Sequence, residues 1–310
     1  MKMSARAIAA AGTLLLMAAS AGAQSMGAGQ AVVTVLTKHE GEVPSSVAQQ
    51  DMAIKLDGKA AKVTKWKQYE PDNKIELVLL IDGGARSSLG RQMGDIQNFI
   101  NALPPNILAG IAYMQNGQAL FSGPLSADHA TVLKNLHVTG GMVGSSASPY
   151  FCLSDLARQW PGQDPAARRE VVMITDGVDP YQQQFDPSDP YVLASINDAV
   201  HARLVVYAIY WGSRGFSVAA QMDTSAGQNL LGEVAAATGG KSFYMGTGNP
   251  VSFEGYFQEL IRRFRNQWEL GFEGSLNGRP QVEDLRLKMH APGTEIDAPQ
   301  RVLLDPAAVR

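Results

Sequence analysis

Four apolar runs recur through the middle of the chain: Ile75 to Ile81, Ile107 to Met114, Val171 to Ile174 and Leu204 to Ile209. None alternates strictly with polar residues, which is the pattern of strands buried on both faces of a helix-covered sheet. The segments between them have helical spacing. Leu89, Met93, Ile96, Ile100 and Leu103 fall three or four apart, with Ser88 placed to cap the helix they predict. Phe253, Phe257, Leu260, Ile261 and Phe264 form a second stripe, with Glu254, Gln258, Arg262 and Arg265 facing away. Alternation of this kind predicts an α/β fold built on a doubly wound, mostly parallel sheet. Asn116-Gly117 joins the second run to Ala119-Leu120-Phe121 and favours a type I′ hairpin turn, so one edge strand is expected to be antiparallel.

Strand patterns also flank this region. Residues 31–38 and 52–56 read as strands, the second turning at Asp57-Gly58, and Pro71-Asp72-Asn73 marks a boundary. After Arg265 strand signals return at Gln267 to Phe272, Asp284 to Met289 and Arg301 to Leu304. Neither set alone buries much area, so the two are expected to combine into a small β appendage. The Gly-, Ala- and Ser-rich stretch Gln24 to Gln30 reads as a flexible terminus. The expected division is residues 1–23, 24–73, 74–265 and 266–310.

Residues 1–23 bear on compartment. Lys2 and Arg6 precede an apolar stretch, Ala7 to Ala19, and Ala21-Gly22-Ala23 fits the small-residue rule for signal cleavage. An exported protein, periplasmic or secreted, is expected, with no membrane span once the leader is removed. The 310 residues are 45% hydrophobic and 18% charged, a globular balance. Net charge is −3, and no basic cluster with interleaved aromatics suggests a nucleic-acid partner. Cys152 is the single cysteine, so no internal disulfide is expected, and its apolar neighbours Phe151 and Leu153 suggest a buried structural thiol.

Ligands of open α/β sheets bind beyond the carboxyl ends of the strands. There the sequence places Asp82 to Ser88, the loop Gly140 to Tyr150, and Thr175-Asp176-Gly177-Val178-Asp179. Two carboxylates and a hydroxyl-rich loop are hard oxygen donors, suited to Mg²⁺, Mn²⁺ or Ca²⁺ rather than zinc. The segments LVLLIDGG, EVVMITDGVD and LLGEVAAATGGKSFY, with the Asn116-Gly117 hairpin, make residues 74–265 resemble a von Willebrand factor type A (VWA) domain. The chain with its leader and the SPYFCLSDLARQWP segment is similar to exported bacterial VWA-related proteins. The resemblance implies a protein-binding or adhesion module, not an enzyme, with a metal-ion-dependent adhesion site. An Asp-x-Ser-x-Ser loop, a Thr and a later Asp would hold the ion, whose open position takes an acidic side chain of a protein partner. Asp82 matches the first Asp and Asp176 the later one. Ser148, with Ser146 as the alternative, takes the Thr position. Gly84 and Arg86 stand where the two serines belong, which predicts a degenerate site with weak or absent ion binding, and Ser87 compensates only if the loop shifts.

Two other readings follow from the same residues. A metal-independent interaction protein would use Arg86, Ser87, Ser146, Asp179, Trp211 and Phe216, or the β appendage, with Trp66, Tyr69, Trp211 or Phe216 as exposed anchors. A Rossmann-like phosphohydrolase would use Asp82 as nucleophile, but Gly84 occupies the position of its general acid.

Overall fold

The structure is a computed structural model that describes residues 25–38, 48–85, 87–138, 146–181, 185–186, 188–212 and 218–306. The leader, Arg86, Ser145 and Phe216 lie outside these residues. Strands β1 (Ser25–Thr37), β2 (Met52–Leu56) and β3 (Lys59–Gln68) come first. An α/β segment follows: β4 (Ile75–Asp82), α1 (Met93–Ala102), β5 (Ile107–Gln115), β6 (Gln118–Phe121), α2 (His129–Leu133), α3 (Pro149–Arg158), β7 (Arg168–Thr175), α4 (Pro190–His201), β8 (Leu204–Tyr210), α5 (Val218–Thr238), β9 (Ser242–Phe243) and α6 (Glu254–Arg265). The chain ends in β10 (Gln267–Leu276), β11 (Gln281–Met289), β12 (Thr294–Asp297) and β13 (Arg301–Pro306).

The terminal strands correct the expected fold class, a doubly wound sheet with a small β appendage. They form the larger sheet, seven strands in the order β10-β3-β2-β11-β13-β1-β12. β1 also pairs with β10 from Ser25 opposite Leu276 to Thr34 opposite Gln267, so six of the strands close into an antiparallel barrel. Closure removes the exposed edges that a small appendage would carry. Barrel strands point alternate residues inward, and β2 buries Met52, Ile54 and Leu56. They meet Val33, Val35, Leu270, Phe272, Leu285, Val302 and Leu304 in a core of their own.

The stretch expected to be a flexible terminus is likewise the first half of β1. Its small residues reflect crowding. A Cβ on Gly29 would lie 2.4 Å from the Phe272 ring and 2.5 Å from the Leu303 carbonyl oxygen, closer than any side chain tolerates.

The α/β body is inserted between β3 and β10, which pair with Gln68 opposite Trp268, so the chain leaves and re-enters the barrel at one place. Its six-stranded sheet runs β6-β5-β4-β7-β8-β9, with β6 antiparallel to β5 and the other pairs parallel. Asn116 and Gly117 have φ of 51° and 76°, the backbone a type I′ turn requires. Every residue of β4 and β8 is buried. On one face pack α1 and α6, joined by the stacked rings of Phe99 and Phe257 at 4.3 Å. On the other pack α3, α4 and α5. Ser88 does not cap α1: a 3-10 turn, Ser87–Gln92, precedes it, and Gln92 at the cap position makes no side-chain cap bond. Among the described residues no helix is long and apolar enough to cross a membrane.

A buried polar group joins the two bodies. Gln267, at the start of β10, donates to Glu170 Oε1 at 2.9 Å and to the Tyr207 hydroxyl at 3.2 Å, and accepts from Arg168. Arg168 also donates to the Phe264 carbonyl at 2.9 Å. Glu170 is fully buried, and that burial pushes its carboxyl up to about 7, against the pull of Arg168 and Gln267.

Two outcomes follow. Gly29→Ala should lower unfolding free energy in urea by about 1–3 kcal/mol through overpacking against a carbonyl that cannot move. The unfolded Glu170 side chain titrates near 4.5 and the folded one near 7. Below 4.5 both states hold the proton; between 4.5 and 7 only the folded state does, so stability falls as pH rises by up to about 3 kcal/mol and is level above 7. Urea titrations at about pH 5 and pH 8 should show that loss shrinking in Glu170→Gln.

Candidate functional site

The carboxyl ends of β4 and β7 lie side by side, because Ile81 pairs with Ile174 in register. Asp82 and Thr175 are the next residues on each strand. Asp82 is 4% exposed; its Oδ1 accepts the Gly84 N–H at 2.7 Å and its Oδ2 the Thr175 hydroxyl at 2.7 Å. Burial raises the Asp82 pKa, while the Thr175 hydroxyl, the Gly84 amide and the Ser146 hydroxyl oppose the rise. The tight turn after β4 is closed by Ala85 N–H to Asp82 O at 3.1 Å.

The loop before α3 supplies the neighbouring hydroxyls. Ser146 is buried, and its carbonyl accepts from Gly117 N–H at 2.8 Å and from the Cys152 thiol at 3.4 Å, which ties the loop to the β5–β6 hairpin. Ala147 follows with φ 62°, a left-handed conformation unusual for a residue with a Cβ. Ser148 then starts α3, with Pro149 in its first turn. Ser148 makes no cap bond; its buried hydroxyl faces Asp179 and lowers that carboxyl's pKa, yet neither Ser148 Oγ nor Asp179 Oδ2 completes a hydrogen bond. The structure therefore sets Ser146 against Asp82 and Ser148 against Asp179.

Asp176 accepts the Val178 N–H at 3.1 Å, and Asp179 the Tyr181 N–H at 2.9 Å. The turn between is held from below by Tyr150, which donates to the Gly177 carbonyl at 2.7 Å, and from the side by Gly227 of α5, where a Cβ would lie 2.0 Å from Asp176 O. Asp189 caps α4, accepting from Tyr191 and Val192 N–H. Burial raises the Asp179 pKa, and the Asp189 charge adds to the rise.

Trp211 is not an exposed anchor. It is 3% exposed, packed edge-on against Phe253 at 5.4 Å, with its backbone N–H on Thr175 O. Trp66 stacks on Trp268 at 4.8 Å, and Tyr69 lies under Arg168 at 4.5 Å, so neither ring stands free. Cys152 is buried, and burial with the Asp82 and Asp155 charges pushes its thiol up to about 12. Ser87 is exposed at the rim. The aromatic surface lies instead at Tyr181 (62% exposed), Phe185 (42%) and Tyr191 (42%). Tyr191 sits edge-on to Phe151 at 4.8 Å, and Tyr181 lies 5.5 Å from Phe151. Sequence reasoning placed Thr175 at this edge without giving it a role, and missed Tyr181 and Tyr191. Thr175 was detectable as the residue level with Asp82 on an adjacent parallel strand.

The donor set does not fit the divalent ion that the resemblance implies. Gly84 brings no side-chain oxygen, and both Asp82 oxygens already take protein donors. Six near-octahedral oxygens are what Mg²⁺ demands.

No family model matches the chain, and no curated protein matches it. Similar solved structures include an aerotolerance-related membrane protein from Bacteroides fragilis NCTC 9343, at 13% identity over 61% of this chain and 98% of that one, with a TM-score of 0.44. The VWA domain of SpRpn10 matches at 11% identity over 61% and 94%, with a TM-score of 0.39. The pilus adhesin SpaC from Lactobacillus rhamnosus GG matches at 10% identity over 88% of this chain and 49% of its own, with a TM-score of 0.43. At these scores the likeness carries no argument about this chain, and the site rests on its own side chains.

Thr175→Val leaves the buried Asp82 carboxylate short of its donor and should cost about 1–3 kcal/mol at neutral pH. Thr175→Ser should recover most of it. Because the lost bond favours the charged form, the deficit should shrink in acid as Asp82 protonates, read by urea unfolding at both pH values.

Proposed function

We propose that the chain is an exported, non-enzymatic protein-binding module of VWA type, engaging its partner at the carboxyl edge of the six-stranded sheet without a divalent ion. The observation that carries this reading is the state of Asp82. Each of its two oxygens accepts a protein donor, Gly84 N–H and the Thr175 hydroxyl, so part of the charge that an ion would meet in an adhesion site is met by the protein. The same facts disfavour a phosphohydrolase. A nucleophilic carboxylate needs an oxygen open to the phosphorus, and Asp82 is buried and bonded on both sides.

The exposed rings of Tyr181 and Tyr191, 6.0 Å apart, support a protein partner, since large aromatics supply contact area at low entropic cost. Tyr181 and Tyr191 follow Asp179 and the helix cap Asp189, whose carboxylates accept their backbone N–H groups and fix the backbone at both positions.

Thermal unfolding of the purified chain in EDTA and in about 5 mM Mg²⁺, Mn²⁺ or Ca²⁺ tests the metal-free reading. An ion held at about a hundredfold over its Kd would add roughly 2.7 kcal/mol, or about 5–10 °C. The expectation is no such rise. A rise of that size, lost in Asp82→Ala, would sink the metal-free reading and restore an adhesion site that recruits acidic side chains. Capture of a partner from an extracytoplasmic extract should fail with the Tyr181→Ser/Tyr191→Ser chain; equal capture would move the interface elsewhere.

A further inference from the structure

At the opposite end of the α/β sheet, where the barrel meets the first residues of β7 and β8, lies a cavity of about 650 Å³. Its size falls within the range of small-molecule sites. Lys65, Arg168, Arg169, Arg203 and Arg301 line it, against the carboxylates Glu269 and Asp305. Five cations thus line the cavity against two carboxylates, while Glu76, Glu170 and Asp284 stand behind Arg169, Arg168 and Arg301. Val32, Pro299 and Leu303 add an apolar wall.

Arg168 is the informative residue. It is 5% exposed, and among the described residues no carboxylate lies within 4.0 Å of its guanidinium. Neutral acceptors hold it, the Phe264 carbonyl and Gln267, and its buried Nε has no hydrogen-bond partner. Glu170, reached through Gln267, is the carboxylate that faces its charge, so what stays open is the buried Nε donor, which is unfavourable unless an acceptor meets it. The other cations are loosely paired. Arg203 to Asp305 is 3.6 Å, and Arg169 to Glu76 and Arg301 to Asp284 are both 3.8 Å, all beyond hydrogen-bond range; Lys65 to Glu269, at 2.8 Å, is the close pair.

Arg203 adds an independent observation. It follows the last turn of α4 with φ 58°, the left-handed position that ends many helices and that glycine or asparagine occupies with least strain. An arginine there keeps the strain and places a half-exposed guanidinium at the cavity.

We propose that this cavity binds a small organic oxyanion, its charged group taken by Arg168 and Arg203 and its apolar part lying along Val32, Pro299 and Leu303. The site is separate from the carboxyl edge and does not depend on the binding function proposed for it. Titration calorimetry of the purified chain at low ionic strength, with phenyl phosphate and with benzoate, tests it; phenol and sodium chloride at matched ionic strength are the controls. Saturable one-to-one binding is expected for at least one of the two anions and for neither control. Arg203→Gly relieves the left-handed strain and should weaken that binding at least tenfold without lowering the melting temperature of the unliganded chain. Asp305→Asn removes a competing carboxylate and should leave affinity equal or tighter. Heats from both anions that match sodium chloride would overturn the proposal. So would unchanged affinity in Arg203→Gly, which would reduce Arg203 to a tie between the two bodies.

Discussion

The pairing of β1 with β10 is the contact on which the remaining architecture depends. It joins residues near the start of the chain to residues some 240 positions later and closes six strands into a barrel. Contacts of such long range are entropically costly to form, and the inserted α/β body reduces that cost by bringing β3 and β10 together at its two ends. The glycines of β1 belong to the same constraint. The strand lies so close to Phe272 and the β13 backbone that side chains at those positions would force it away and open the barrel.

How the inserted body is oriented on the barrel is set by Gln267. From the first residue of β10 it reaches Glu170 and Tyr207 of the α/β sheet and receives Arg168. A buried polar group of this kind contributes more to a unique arrangement than to net stability, because its hydrogen bonds form in one relative placement of the two bodies. It leaves Glu170 reluctant to ionise and the Arg168 Nε without an acceptor. The cavity lies beside them.

The carboxyl edge shows how much of a site can be read from residue order. Asp82 and Asp176 were placed at strand ends by apolar runs that terminate there, and Ser146 and Ser148 by a loop ahead of a helix start. Which hydroxyl meets which carboxylate was not readable. Ser146 falls to Asp82 and Ser148 to Asp179 because Ala147 between them adopts a left-handed backbone, a conformation that alanine does not advertise. Thr175 escaped for a different reason. Its role comes from strand register, which relates residues 93 positions apart and leaves no local pattern. Trp211 follows the same logic: a tryptophan after a strand suggests an exposed anchor until Phe253, from a distant segment, covers it.

The sequence by itself determined what depends on neighbours a few residues apart: the buried strands, the helical stripes of α1 and α6, the Asn116-Gly117 hairpin, and the absence of side-chain oxygen at Gly84. Periodicity and turn chemistry act over one or two turns of chain, and there they suffice. Tertiary structure decided that the terminal strands close into a barrel rather than form an appendage, and that a glycine-rich start is a packed strand rather than a loose end. It also decided that Arg168 is buried with its Nε unpartnered. Each of these is the result of segments far apart in sequence occupying the same space, and hydrophobic pattern carries no record of which distant segment arrives.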